Sequence, residues 1–220
     1  MNLYERGLAA FRSGATDEAA NLAAELIATS RAAGDLAGEI DGLCMLGRVA
    51  LRRGEVSRVA ELAEEARDLA RQNKERRLER MPLHLQAVAA RMQGDLGSAR
   101  KLYRESIDLT RQLGEERMVA AEHRNLAYVE LHDGNPAEAR DLFSTSAKLA
   151  RACGYDALEP YLLLDSAVLA LEMGDAARAR RLLTETDSMF AAAGQIPDPD
   201  DAAEAEWMRK RLHGVAPDLE

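Results

Sequence analysis

A glycine recurs every 40 residues along most of the chain, and this period constrains the fold more than any other feature. The first glycine series consists of Gly14, Gly54, Gly94, Gly134 and Gly174. The second series, in which Lys74 takes the place of one glycine, consists of Gly34, Gly114, Gly154 and Gly194. Self-similarity at a fixed period of this length indicates an array of repeats rather than a domain with one central core.

The residues around each glycine of the first series also recur. A small residue stands seven positions before it, at Gly7, Gly47, Ala87, Ala127 and Ala167. A leucine stands eight positions after it, at Leu22, Leu62, Leu102, Leu142 and Leu182. Small residues at fixed places on two successive helices let the two backbones approach, and the leucine fills the space beside the contact. We therefore predict an antiparallel helix pair around each glycine, with the leucines in the core.

The composition favours helices throughout the chain. Hydrophobic residues make up 47% of the sequence but aromatic residues only 4%, and runs of β-branched residues are absent. The predicted helix pairs are 2–13 with 16–32, 35–53 with 56–72, 75–92 with 96–112, 115–132 with 136–152, and 156–173 with 176–192. Because one pair cannot bury both of its faces, we expect the five pairs to stack into an all-α solenoid over residues 1–194.

Three helix starts have a recognisable chemistry. Asn135 is predicted to cap the helix that follows it through its side chain, with Pro136 at the first helical position. Pro82 lies deeper in its helix and is expected to kink it or delay its start. Pro160 falls in the first turn after Asp156, a predicted N-cap, where a proline is tolerated.

The last part of the chain, 195–220, is predicted to consist of a linker, a capping helix from Asp200 to Leu212 and a tail. A terminal unit of a repeat array needs an apolar inner face and a polar outer face. The acidic residues of this helix are Asp200, Asp201, Glu204 and Glu206. We interpret them as a solvated outer face, and the alternative is an acidic surface for a basic partner.

The spacing of Ala127, Gly134, Ala139 and Phe143 resembles the tetratricopeptide repeat, which has a small residue, a turn glycine, an alanine and a large apolar residue at these distances. An equally good match is formed by Ala87, Gly94, Ala99 and Tyr103. The resemblance covers residues 1 to about 194, although the repeat has 40 residues rather than 34. It implies a right-handed superhelix whose concave groove is lined by the first helix of each pair. The longer repeat is similar to repeats in bacterial regulators, including LuxR-type transcription activators and peptide-responsive signalling proteins.

Polar residues occupy the positions that would line this groove. They are Arg48, His84, Arg91, Arg124, Asn125, Tyr128 and His132. In one interpretation they bind a partner: the three arginines bind carboxylates of a peptide, and Asn125 holds its main chain. In the other they are ordinary solvated side chains that pair locally with Glu or Asp. The Lys and Asn clamp of chaperone-binding family members is absent, so chaperone tails are not the expected ligand.

The sequence contains no pattern that indicates catalysis, a cofactor or direct nucleic-acid binding. The net charge is −9, with Arg and Glu interspersed, which disfavours binding to a phosphate backbone. Cys44 and His84 are equivalent positions of adjacent repeats, but roughly 10 Å separates such positions, too far for a base to activate a thiol. His123 and His132 are too far apart in sequence to chelate one metal ion from a single helix.

We therefore expect a non-catalytic scaffold that binds a protein or peptide segment. The alternative is a sensing or regulatory module of a bacterial transcription or signalling protein, in which a peptide or small molecule changes the superhelix. The absence of a bilayer-spanning run or a signal peptide predicts a cytoplasmic protein that does not contact membranes. The apolar residues Leu3, Leu8 and Phe11 are covered less completely by the predicted first helix than their counterparts are in later pairs. We therefore expect this N-terminal end to contact another copy of the chain, as a homo-oligomer, or a preceding domain in a longer natural protein.

Overall fold

The computed structural model describes residues 1–214, and within this range it contains α-helices, two short 3₁₀ turns and no strand. The predicted all-α fold is confirmed. The helices are α1 (Leu3–Ser13), α2 (Thr16–Ala33), α3 (Leu36–Arg52), α4 (Val56–Gln72), α5 (Arg80–Met92), α6 (Leu96–Gln112), α7 (Glu116–His132), α8 (Pro136–Ala152), α9 (Glu159–Glu172), α10 (Ala176–Ala192) and α11 (Pro199–His213). The predicted tail, residues 215–220, lies outside the described residues.

The helices group into two compact units, Met1–Glu115 and Glu116–Glu220, which we call unit 1 and unit 2. Unit 1 contains the pairs α1–α2, α3–α4 and α5–α6, and unit 2 contains α7–α8 and α9–α10 followed by α11. The five helix pairs have the predicted bounds to within one residue, except at the starts of α5 and α9. A division of the chain at residue 194 stays a prediction.

Proline explains the two late starts. Residues Arg76–Glu79 form a 3₁₀ turn before α5, so the helix begins two residues before Pro82, as the predicted delay requires. Before α9, the 3₁₀ turn Asp156–Leu158 places Pro160 in the first α-helical turn. The prediction that Asp156 caps this helix is wrong, because Asp156 opens the 3₁₀ turn instead.

The start of α8 also differs from the prediction. Pro136 is the first helical residue, as expected, but the Asn135 side chain does not cap the helix. Its Nδ2 instead donates a hydrogen bond to Glu130 Oε2 at 3.0 Å. An aspartate does cap at the equivalent position of other repeats: Asp95 Oδ1 accepts from the Ser98 amide at 2.9 Å.

Glycine and alanine allow close contact between helices, but the tightest contacts join neighbouring pairs rather than the two helices of one pair, where a Cβ at Gly7 would lie 3.7 Å from Leu22 Cβ. A Cβ added at Gly47 of α3 would lie 3.1 Å from Leu85 Cδ1 of α5. Gly42, on the other side of α3, is packed more tightly still, because a Cβ there would lie 2.6 Å from Ile27 Cγ1 of α2. Ala127 and Ala167 take these places in unit 2, and both are fully buried.

The core position next to this contact is shifted by one residue from the prediction. Leu22 and Leu62 are buried as expected, but the three later leucines of the series, Leu102, Leu142 and Leu182, are only half-buried. The next residue is buried in all five pairs: Ala23, Ala63, Tyr103, Phe143 and Leu183. In unit 2, Phe143 packs edge-on against the Tyr128 ring, with the centroids 5.0 Å apart.

The N-terminal end is more closed than the sequence suggests. Phe11 has no exposed surface, and the Arg52 guanidinium lies 4.2 Å above its ring centroid. Leu3 and Leu8 are half-buried against the same core cluster. Phe11 is therefore a core residue of unit 1, and self-association through this end stays a prediction.

The shift in core position predicts a difference between two neighbouring substitutions in α8. Phe143→Ala removes a buried ring and should lower the free energy of unfolding by about 3–5 kcal/mol. Leu142→Ala truncates a half-buried side chain and should cost only about 1–2 kcal/mol. Urea unfolding followed by circular dichroism measures both. An equal loss for the two variants would contradict the core assignment.

The second glycine series ends the second helices in the left-handed conformation, with φ between 61° and 70° at Gly34, Gly114, Gly154 and Gly194. Lys74 adopts the same conformation, with φ 59°. Since side chains disfavour this region, Lys74→Gly should stabilise unit 1 by up to about 1 kcal/mol. Gly114→Lys is the reciprocal control, because a Cβ at Gly114 would meet no atom within 4 Å. It should lower the stability by about 1 kcal/mol in the same unfolding experiment.

Candidate functional site

Three polar side chains follow one another along one side of α7. Arg124, Tyr128 and His132 are spaced by four residues, so they share one face of the helix. Tyr161 and Asp165 of α9 contact this face. We call the surface formed by these five residues the α7–α9 face. In unit 2 it is part of the surface that the sequence predicts as a groove.

The Arg124 guanidinium is the centre of this face, and the residue is only 2% exposed. Its Nε lies 2.9 Å from Asp165 Oδ1 and 3.0 Å from Oδ2. The Tyr128 hydroxyl donates to the same carboxylate at 2.8 Å. The rings of Tyr128 and Tyr161 lie 5.0 and 5.2 Å from the guanidinium carbon, within the range of a cation–π contact. Helices α7 and α9 thus hold one edge of the guanidinium in a fixed orientation.

The other edge of the guanidinium binds α11. Arg124 Nη1 donates a short hydrogen bond to Asp201 in the first turn of α11. One turn later, Glu204 Oε2 lies 2.8 Å from His132 Nε2. Another turn on, the Trp207 ring meets His132 edge-to-face, with the centroids 5.4 Å apart. Three successive turns of α11 therefore contact the α7–α9 face through polar and aromatic side chains.

Apolar contacts complete the docking of α11. Ala205, Met208 and Leu212 of α11 are buried in the core cluster of unit 2, which also includes Leu164 and Val168 of α9. The Asp200, Asp201 and Glu204 side chains are buried as well, with exposures of 5–6%. The interpretation of the acidic run as a solvated outer face is therefore wrong for these three residues. They occupy positions i, i+1 and i+4, which lie together on the inner face of the helix.

Burial raises the pKa of the two carboxyl groups that contact Arg124. The pKa of Asp165 rises to about 6, because loss of solvent outweighs the opposing effects of Arg124 and the Tyr128 hydroxyl. The pKa of Asp201 rises to about 7 for the same reason, with Arg124 again opposing and Asp200 adding to the rise. For Arg124 itself, burial alone would lower the pKa, but the attraction of Asp165 and Asp201 raises it well above its usual value. The guanidinium is charged in this site at any physiological pH.

The seven residues of the predicted groove lie in different surroundings. Arg124 and Tyr128 contact each other, and His132 joins them through α11, but both Arg124 and Tyr128 are covered rather than open to solvent. Asn125 is 6% exposed on the same helix. In unit 1, Arg48 of α3 and His84 of α5 are half-buried, and Arg91 of α5 is 6% exposed. A partner-binding role for the seven stays a prediction.

The sequence interpretation missed the acidic half of the site. Asp165 occupies the repeat position of Asn125, two before the small residue of its helix, and this equivalence is the one signal that could have placed it in the groove. Asp201 lies outside the repeats, so the period carries no information about it. The carboxylates expected from a peptide ligand are supplied here by the chain itself.

Cys44 has no property of a nucleophile. Its side chain is buried, and burial raises the pKa of the thiol to about 12, with Asp41 contributing further.

Within residues 1–214, no group of three or more His, Cys, Asp or Glu side chains is arranged to hold a metal ion. None of the helices in this range has the length and apolar character needed to cross a membrane.

No family model matches the sequence, and no curated protein matches it. Solved structures do match the fold. A Rap protein in complex with Competence and Sporulation Factor has a TM-score of 0.70 and 16% identity, over 96% of this chain and 56% of the other. The apo form of RapI has a TM-score of 0.64 and 10% identity, over 96% of this chain and 82% of the other. The chain shares the fold of the Rap proteins.

A third match extends this likeness to a protein of similar length. BtubC (BKLC) from P. vanneervenii has a TM-score of 0.63 and 16% identity, with 94% of this chain and 95% of the other covered. By contrast, the chain spans 56% of the Rap protein that was solved with its factor. At these identities the likeness is one of fold, a helical repeat architecture of the tetratricopeptide type.

The raised pKa values predict that docking of α11 depends on pH. A carboxyl whose pKa is raised in the docked state stabilises that state fully below its ordinary pKa near 4, and the stabilisation is lost as the pH rises through 6 to 7. Trp207, the only tryptophan, reports docking through its fluorescence. Between pH 5.5 and 8 its emission should shift towards longer wavelength, with a midpoint near pH 6–7.

Two variants isolate the cause of this shift. Asp201→Asn removes the titrating carboxyl that α11 itself contributes and should reduce the pH-dependent shift and leave only the part due to Asp165, whereas Asp187→Asn, which alters an exposed ion pair with Arg209 of α11, should leave the shift unchanged. Because the His132 ring contacts the Trp207 ring and can alter its emission directly, the profile is measured in the His132→Gln background as well. A wild-type emission that stays constant from pH 5.5 to 8 would contradict the assignment.

Proposed function

We propose that the chain is a scaffold without a reaction of its own that binds a protein or peptide segment through the concave groove of a tetratricopeptide-type superhelix. The observation that carries this proposal is the docking of α11 on the α7–α9 face. There the predicted groove residues Arg124 and His132 already bind carboxylates from a helix that does not belong to the repeated pairs. A surface of this chemistry suits an external segment equally well.

The fold supports the same function. A Rap protein of this fold was solved with Competence and Sporulation Factor bound. Arrays of helix pairs present a long, rigid surface, and binding by such surfaces depends on the residues that differ between repeats. In this chain those residues include Arg48, His84 and Arg91 of unit 1, together with Asn125 of unit 2.

A sensing or regulatory module is the second candidate. It is favoured by the character of the α11 contact, in which burial disfavours the charged forms of Asp165 and Asp201 and the stabilisation depends on pH. Such a contact changes with conditions more readily than a purely apolar one. In this version a bound peptide or small molecule alters the helix arrangement, and the altered arrangement is the signal.

A peptide-display selection on the full-length chain tests the scaffold function. We expect it to enrich peptides whose affinity falls at least about tenfold in Arg48→Ala or His132→Ala, since removal of a charged hydrogen-bonding partner typically has an effect of this size. Lys148→Ala on α8 and Arg181→Ala on α10 are matched controls, because both residues are exposed on second helices. The affinity of these two control variants for the enriched peptides should equal that of the wild type.

The selection also has outcomes that contradict the proposal. If the selection enriches no peptide beyond those enriched in a parallel selection on an unrelated helical protein, the scaffold function is wrong. If the enriched peptides lose affinity in the Lys148 or Arg181 variant and keep it in the groove variants, binding occurs through the second helices and the groove assignment is wrong. A shift in thermal stability with a small molecule, without enrichment of peptides, favours the sensing module.

A further inference from the structure

The α7–α9 face and α11 together define a ligand of specific chemistry. Arg124 can donate from both edges of its planar guanidinium. Asp165, from the repeats themselves, takes the Nε edge, and Asp201 of α11 takes Nη1. The first contact persists when α11 leaves, whereas the second is then lost. The face therefore has a built-in position for one incoming carboxylate.

The remaining contacts of α11 extend this definition along the helix. His132 receives a second carboxylate, Glu204, three residues after Asp201, and its ring packs against Trp207 three residues further on. Positions i, i+3 and i+6 lie close to one another on a helix surface, so only a helical segment presents all three groups at once. An extended peptide with the same residues does not.

The way in which α11 is attached makes it exchangeable. It follows a short segment, Gln195 to Asp198, that contains no helix and joins it to α10. Its buried apolar residues are few, namely Ala205, Met208 and Leu212. Buried carboxylates pay a desolvation cost that offsets much of their attraction to Arg124, so such a contact specifies the position of the helix more than it stabilises it.

From these observations we infer that α11 is an internal ligand of the α7–α9 face, and that this face is a receptor for an external acidic amphipathic helix of the α11 type, which α11 excludes until it is displaced. The external helix carries a carboxylate, a second carboxylate three residues later and an aromatic residue three residues after that. This inference rests on the proposed scaffold function and adds the class of ligand and its regulation.

A labelled peptide with the sequence of residues 199–213 tests the inference by fluorescence anisotropy on the full-length chain at pH 6. In the wild type, the attached α11 competes at an effective concentration in the millimolar range, so the peptide should bind weakly. In the double variant Asp201→Lys, Glu204→Lys, the attached helix is repelled from Arg124 and His132. The peptide should then bind about 100-fold more tightly.

Matched variants and peptides check that the gain in peptide affinity comes from the release of α11. A peptide with the same two lysines should bind neither protein, and the substitution Glu206→Lys, at an exposed position of the same helix, should leave wild-type behaviour unchanged. Circular dichroism of the double variant should show a loss no larger than the helicity of α11, which establishes that the helix pairs stay folded. Adding His132→Gln to the double variant should weaken binding of the peptide again.

The outcomes separate this inference from the proposed function. Equal affinity of the peptide for the wild type and the double variant, or binding to neither, overturns the inference that α11 occludes a helix receptor. The scaffold function still stands in that case if the display selection yields peptides that depend on Arg48 or His132. If the selection on the wild type fails while the peptide binds the double variant tightly, the proposed scaffold function is overturned and the receptor for a helix beneath α11 stands.

Discussion

Close contact between neighbouring helices is the constraint on which the structure depends. Ala127 and Ala167 are fully buried on the first helices of unit 2, and in unit 1 Gly42 of α3 lies so near Ile27 of α2, in the preceding pair, that no side chain fits without a shift. Dense packing of this kind fixes the register between neighbouring helices. Residues spaced by four lie on one face of any helix, so Arg124, Tyr128 and His132 form one row, and the packing of α7 against its neighbours places this row beside Asp165 of α9.

The charged contact at the end of unit 2 is a consequence of that row. Arg124 is buried, so it needs carboxylates, and α9 supplies one while α11 supplies the other. Both carboxyls have a raised pKa because burial is the dominant effect on them. A helix held in this way is positioned precisely and stabilised only modestly. These are the properties of an element that can be exchanged for a competing segment.

The sequence predicted the helices well because a period and a turn glycine determine them locally. The bounds of three of the five first helices and of all second helices were predicted to within one residue, and the late starts of the other two, α5 and α9, are explained by Pro82 and Pro160. Two predictions failed for reasons that lie outside local sequence. Asn135 donates a hydrogen bond to Glu130 instead of capping α8. Phe143, rather than Leu142, is the buried residue, because packing against the neighbouring helix determines which side chain is enclosed.

The candidate site was predictable only in part. The repeat positions identified Arg124, Tyr128 and His132 as one surface, but they carried no information on what covers it. Asp200, Asp201 and Glu204 belong to a helix outside the period, and an acidic run at the end of a chain is ordinarily exposed. Their burial follows from the position of α11 against α7 and α9, which depends on contacts over more than 70 residues of sequence.

Hydrogen exchange under native conditions tests the central claim, that α11 is a separable helix seated on the α7–α9 face, most directly. The account predicts that α11 amides exchange through a local opening of lower free energy than α7 and α9 amides, and that Asp201→Asn changes protection in α11 alone. Protection of α11 equal to that of α7 and α9, with all three lowered together by the substitution, would show that α11 is an inseparable part of the core and would contradict the claim.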